Sequence, residues 1–149
     1  MSEYTKAAIY SAQKSDTALE ALLGADENFD PAIFNANMNE KQQDLADPSK
    51  SWTYPCVTFR EADGTADPRF TNNAVGTEFF DFEVWWQASS ALTGARIAAR
   101  LDALFHNEPL TVASGHVYNC ERVSQIPDNY DPKLKVHIGL YRYKLVVVN

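Results

Sequence analysis

The run Glu78-Phe79-Phe80-Asp81-Phe82-Glu83-Val84-Trp85-Trp86-Gln87 constrains the fold of this chain more than any other stretch. Its even positions, Phe80, Phe82, Val84 and Trp86, form an unbroken apolar row, while the odd positions Phe79, Asp81, Glu83 and Trp85 mix aromatics with carboxylates. Successive side chains of a strand point to opposite faces, so period two assigns the even row to a core and the odd row to an outer face. The strand runs almost directly into an amphipathic helix. There Gly94, Ile97, Ala98, Leu101, Leu104 and Phe105 share one side, and Arg96, Arg100 and Asp102 lie away from it. Ser89 or Ser90 is placed to cap that helix. Residues 75–105 therefore read as the scaffold of a layered domain.

The flanking sequence supplies the other elements. Residues 3–14 read as a weakly hydrophobic helix with Tyr4, Ala7, Ala8, Ile9 and Ala12 on one stripe. Thr17 and Glu20 have capping-box spacing for a second short helix, which buries Ala18, Leu19, Leu22 and Leu23 and ends at Gly24. The acidic, polar stretch 25–51 reads as a long mobile loop holding a strand fragment at Ile33-Phe34. A β-rich run from Tyr54 to Arg60 follows, with Pro55 marking a strand start or a sheet edge. A loop over 61–74 then leads to the aromatic strand. Leu110-Thr111-Val112, a strand from His116 to Ile126, a turn over 127–132 and a last strand from Leu134 to Val148 complete the chain. In that last strand the apolar row moves from Leu134, Val136, Ile138 and Leu140 to Tyr141, Tyr143, Leu145 and Val147, which predicts a bulge at Gly139. The order α-α-β-β-β-α-β-β-β predicts an α+β domain with a mostly antiparallel sheet, one long helix packed on it and short N-terminal helices.

The chain of 149 residues is long enough for one domain with a continuous core, and no apolar run approaches the ~20 residues of a membrane helix. A soluble chain, without membrane association, is the expectation. The first residues lack the basic region and apolar core of a secretory signal, which predicts a chain that is not exported. Cys56 and Cys120 lie in unrelated contexts with no metal-ligand spacing, and buried thiols are expected. The net charge of -7 argues against a general phosphate-binding surface, because nucleic-acid affinity comes largely from Lys and Arg displacing counterions. An acidic wall could still surround DNA without holding it.

No catalytic constellation is legible. His106, His116 and His137 stand in separate elements with no motif joining them to a nucleophile, and Ser114-Gly115-His116 lacks the glycine spacing of a nucleophile elbow. No glycine-rich phosphate loop and no metal or cofactor motif is present. Asp81 and Glu83 share a strand face and could be an acid/base or metal pair, but without further ligands a solvated face explains them better. With Phe79 and Trp85 beside them, that face would suit a partner surface if no helix of the chain covers it; coverage by the N-terminal helices is the alternative. Trp52-Thr53-Tyr54 reads either as an aromatic lid or as a strand anchor. Lys133, Lys135, Arg142 and Lys144 make the last strand basic, which suits edge protection or pairing with acidic neighbours.

Taken in order, these segments resemble the tail-terminator and tail-completion proteins, the minor tail proteins of long-tailed phages. The segments that carry the resemblance are Ala7-Ala8-Ile9, the run from Asp16 to Gly24, Ile33-Phe34, Tyr54-Pro55-Cys56-Val57, the strand from Phe80 to Trp85, the helix from Ala95 to His106 and Tyr141-Arg142-Tyr143. The resemblance implies a non-enzymatic α+β subunit, without cofactor, that forms a ring with copies of itself, usually a hexamer, at the head-proximal end of the tail tube. It implies the tail tube protein and the head-tail connector protein as partners, DNA passing through without specific binding, and a place in the virion after assembly in the host cytoplasm. The 25–51 and 61–74 loops depart from the commoner pattern. Phe79, Asp81, Glu83 and Trp85 are the expected subunit contacts, with Arg96 or Arg100 of a neighbour as ionic partners. Asp26, Glu27, Asp30, Asp44, Asp47, Asp63 and Asp67 are the expected channel-lining residues. Other readings are a different head-tail joining or tail subunit, and a small cytoplasmic enzyme or ligand-binding domain with Trp52, Trp86 and a histidine lining a pocket.

Overall fold

The computed structural model describes residues 3–25, 30–35, 54–62, 77–87, 91–113, 115, 117–133 and 135–147. In chain order they form α1 (Glu3–Lys14), α2 (Thr17–Glu20), β1 (Ile33–Asn35), β2 (Cys56–Ala62), β3 (Thr77–Trp86), α3 (Ala91–Phe105), β4 (Pro109–Thr111), β5 (Val117–Asp131) and β6 (Val136–Val147). The strands make one sheet in the order β1-β2-β3-β6-β5-β4. The β1–β2 pairing is parallel and the others are antiparallel, which gives the expected α+β fold.

All three helices pack on the same face of the sheet. Phe80, Phe82, Val84 and Trp86 meet Ile97, Leu101 and Phe105 of α3, Ile9 of α1, Leu19 of α2, and Tyr141, Tyr143 and Leu145 of β6 in one buried cluster. The rings interlock: Phe80 stacks on Tyr143 at 5.4 Å, and Phe82 lies 5.1 Å from Phe105. Each such side chain contributes about 2 kcal/mol by leaving water. Gly94 explains how the strand can turn so quickly into the helix, since a Cβ there would lie 2.4 Å from the Trp86 ring. Among the described residues no helix is long and apolar enough to cross a membrane.

Several local expectations are corrected. On α1 the buried residues are Thr5, Ile9 and Gln13, whereas Tyr4 is 58% exposed. The buried line thus keeps helical spacing but is polar at both ends, and Gln13 Nε2 donates to the Ile9 carbonyl. The cap of α2 is Asp16 rather than Thr17, because the Asp16 carboxylate accepts the Leu19 N–H at 3.0 Å. Gly24 does not terminate that helix. It lies beyond the helix end and ties the chain to the sheet, donating to the Pro55 carbonyl and accepting from the Ala32 N–H. Pro55 precedes β2, which β1 and β3 flank, so it marks a strand start and not an edge.

The expected bulge falls opposite Gly139, but its extra residue is in β5, where Pro127 and Asp128 face Gly139, and not in β6. β6 pairs with β3 in unbroken register from Thr77↔Val146 to Trp86↔His137. The two apolar rows of β6 belong to two faces of a regular strand: Tyr141, Tyr143 and Leu145 join the helix-covered core, and Val136 and Ile138 join a second cluster on the opposite face. The irregularities lie in β5, between Arg122 and Ser124 and between Ile126 and Asn129. They let β5 continue through most of the expected turn at 127–132, as far as Asp131, because a bulge accommodates Pro127, which has no N–H for a ladder. The anticipated Ser89 or Ser90 cap lies outside the described residues.

Candidate interface on the outer sheet face

Strand pairing brings the odd positions of β3 into rows across the sheet. Arg60, Asp81 and Arg142 form one row, Thr58, Glu83 and Leu140 the next, and Cys56, Trp85 and Ile138 the third. No helix among the described residues covers this face, since all three pack into the even-row core. Yet the face is not the solvated surface expected. Asp81 is 1% exposed, Glu83 5% and Trp85 1%.

The carboxylates have partners inside the chain. Arg142 forks onto Asp81, with Nε donating to Oδ1 at 2.8 Å and Nη2 to Oδ2 at 3.0 Å, a bidentate pair that also crosslinks β3 and β6. Arg60 stands between the two acids, 3.9 Å from Asp81 and 3.8 Å from Glu83. Burial pushes the Glu83 carboxyl above its ordinary value; Arg60 opposes that shift and Asp81 adds to it. Glu83 Oε2 is buried without a hydrogen bond. Trp85 Nε1 donates to Thr58 Oγ1 at 3.3 Å, and its ring joins Ala32, Cys56 and Val136, with Phe34, Tyr54 and Ile138 against them.

The remaining sequence candidates separate. Phe79 is half-buried, opposite Ala62 and Lys144. Arg96 is exposed on α3. Arg100 binds Asp16 of its own chain, Nε to Oδ2 at 2.6 Å and Nη2 to Oδ1 at 2.9 Å, and this bond holds the Asp16 carboxyl below its ordinary value. The proposed neighbour contact is thus a pin between α2 and α3. Asp30 is exposed; Asp26, Glu27, Asp44, Asp47, Asp63, Asp67, Trp52, Ser114 and His116 lie outside the described residues. β6 is an interior strand, so its basic residues do not protect an edge, but Arg142 does pair with an acid.

Of the two described histidines, neither meets a nucleophile among the described residues. His106 Nδ1 accepts the Arg122 backbone N–H at 3.0 Å, at the place where β4 no longer covers β5. His137 stacks on Trp86 at 5.2 Å and meets Asp128 Oδ1 through Nδ1 at 2.9 Å. Among the described residues no group of three His, Cys, Asp or Glu is placed to hold a metal ion. Both cysteines are buried and unbridged, on opposite faces of the sheet, and burial pushes the Cys120 thiol up to about 12. Sequence reasoning missed Asp102, Arg122, Asp128 and Tyr141, which converge from α3, β5 and β6. Three separate elements supply them, and no local spacing carries that signal.

No family model and no curated protein matches the sequence. Among solved structures, the chain is similar to a chain of the virion of the native gene transfer agent particle. The two share 16% identity and a TM-score of 0.66, over 95% of this chain and 92% of the other. At that identity the likeness concerns the fold.

Proposed function

We propose that this chain, as one domain, is a structural virion protein of a phage-type tail, a ring subunit at the head-proximal end of the tube. The observation that carries the reading is the end-to-end likeness of its fold to a gene transfer agent virion chain. The order of segments that resembles tail terminators supports it independently. In this reading the ring ends tube growth and presents the surface that receives the connector protein. DNA passes through the ring, and exposed carboxylates such as Asp30 would line its path without adhering to the phosphates.

The outer-face cluster then has a structural task. With Asp81 and Glu83 matched by Arg142 and Arg60 of the same chain, β2, β3 and β6 form a rigid plate. Phe79 and Arg96 remain the contact candidates whose side chains are not committed to such a pair among the described residues. Electron microscopy of tails assembled with and without the protein tests the role. Tubes of uncontrolled length in its absence are the expected result. Free tails of normal length that fail to join heads would replace termination with a joining role.

A further inference from the structure

Between α3 and β5 lies a groove of about 390 Å³. Ala95 and Ala99 give its helical wall no bulk, Tyr141 contributes from β6, and Asp102 and Asp128 reach it from α3 and β5. Arg122 of β5 also lines the groove, and both carboxylates have partners in their own chain. Asp102 Oδ1 accepts the Tyr143 hydroxyl at 3.1 Å and faces Arg122 at 3.2 Å, and Asp128 Oδ1 meets His137. The hydrogen bonds of both run through Oδ1. The groove is open along β5, because β4 covers that strand only from Val117 to Asn119.

We propose that this groove receives the tip of the β5–β6 hairpin from a second copy of the chain, with Lys133 and Lys135 set against Asp102 and Asp128. The proposal rests on the ring reading and names the contact that would build the ring. Charge selects this occupant: at a net charge of -7 two copies repel on average, so they meet best where an exposed basic feature fits an acidic one. Lys133 and Lys135 are exposed at the hairpin tip. The acid beside them, Asp131, accepts the Lys133 N–H through Oδ1 at 2.9 Å and so turns onto the hairpin's own backbone. The tip cannot fold back into its own groove. β5 and β6 stay paired out to Asp131↔Val136, about 10 Å of strand beyond Asp128. Tip and groove are different patches of one surface, and such head-to-tail contacts close into rings when the rotation permits.

Charge reversal tests the contact in the full chain. Asp128→Lys, and separately Lys133→Glu with Lys135→Glu, are each expected to weaken self-association by roughly tenfold or more in sedimentation velocity, and the combined variant to regain it. A second measurement is independent of charge: a chain carrying Ala99→Cys and Lys133→Cys should give a ladder of disulfide-linked species on oxidation at millimolar protein. Loss of association that the combined variant does not restore, or no ladder, overturns the docking. Asp128→Lys acting alone, with the lysine reversals silent, would mean that a basic segment of another protein occupies the groove, and also overturns it. Rings seen at tail ends despite such results would leave the ring reading standing, whereas tails without rings would remove that reading instead.

Discussion

Asp81 and Glu83 lie two positions apart on β3, yet their energetics differ. Asp81 receives two charge-assisted hydrogen bonds from Arg142, which offset the cost of removing its charge from water. Glu83 has Arg60 at 3.8 Å, too far for a hydrogen bond, and a buried oxygen with no partner. Its folded-state pKa is therefore raised above the ordinary 4.5, chiefly by desolvation. The native state then holds the proton to higher pH than the unfolded chain does. Stability falls as pH rises through that interval, and the penalty is complete above the folded value. Glu83→Gln removes the charge and keeps the shape. The expected result is a higher Tm at neutral pH, a gain on the order of 1 kcal/mol, and a flatter stability profile above pH 4.5. A variant that melts lower than the parent at neutral pH would show that the Arg60 attraction outweighs burial.

At the scale of elements, β6 pairs with both β3 and β5, and Gly139 lets β5 approach it closely. A Cβ there would lie 2.9 Å from the Tyr141 ring and 3.0 Å from the Pro127 carbonyl, so the small residue lets the β5 irregularity close over β6. Gly139→Ala is expected to cost about 1–3 kcal/mol by overpacking. Amide exchange should speed up in 126–130 ahead of β3, and equal protection throughout would count against this local account. The apolar parity of β6 was legible in the sequence, but its meaning was not. One strand serving two clusters on opposite faces writes the same pattern as one strand with a bulge, and only the register against β3 separates them. The core rows of β3 and α3, by contrast, were fully legible, because each is a single uninterrupted period.

For the molecule as a whole, the charge of -7 opposes binding to phosphates, and Arg100 and Arg142 are already paired with acids. Gel-shift titration with duplex DNA at physiological salt is expected to detect no binding tighter than the ~10⁻⁴–10⁻⁶ M typical of non-specific contact. Tight binding with a steep salt dependence would overturn the pass-through reading. The sequence by itself determined the α+β class, the helix-covered core and the lack of a local catalytic motif, because hydrophobic periodicity and motif spacing are properties of neighbours along the chain. Only the tertiary structure decided what the odd face of β3 is. Asp81 meets Arg142, Glu83 faces Arg60 and Trp85 bonds Thr58 through strand pairings between residues far apart in sequence, so a face that looked made for a partner is largely satisfied by the chain itself. The α3–β5 groove likewise exists only because the fold brings a helix of small residues beside an uncovered stretch of strand.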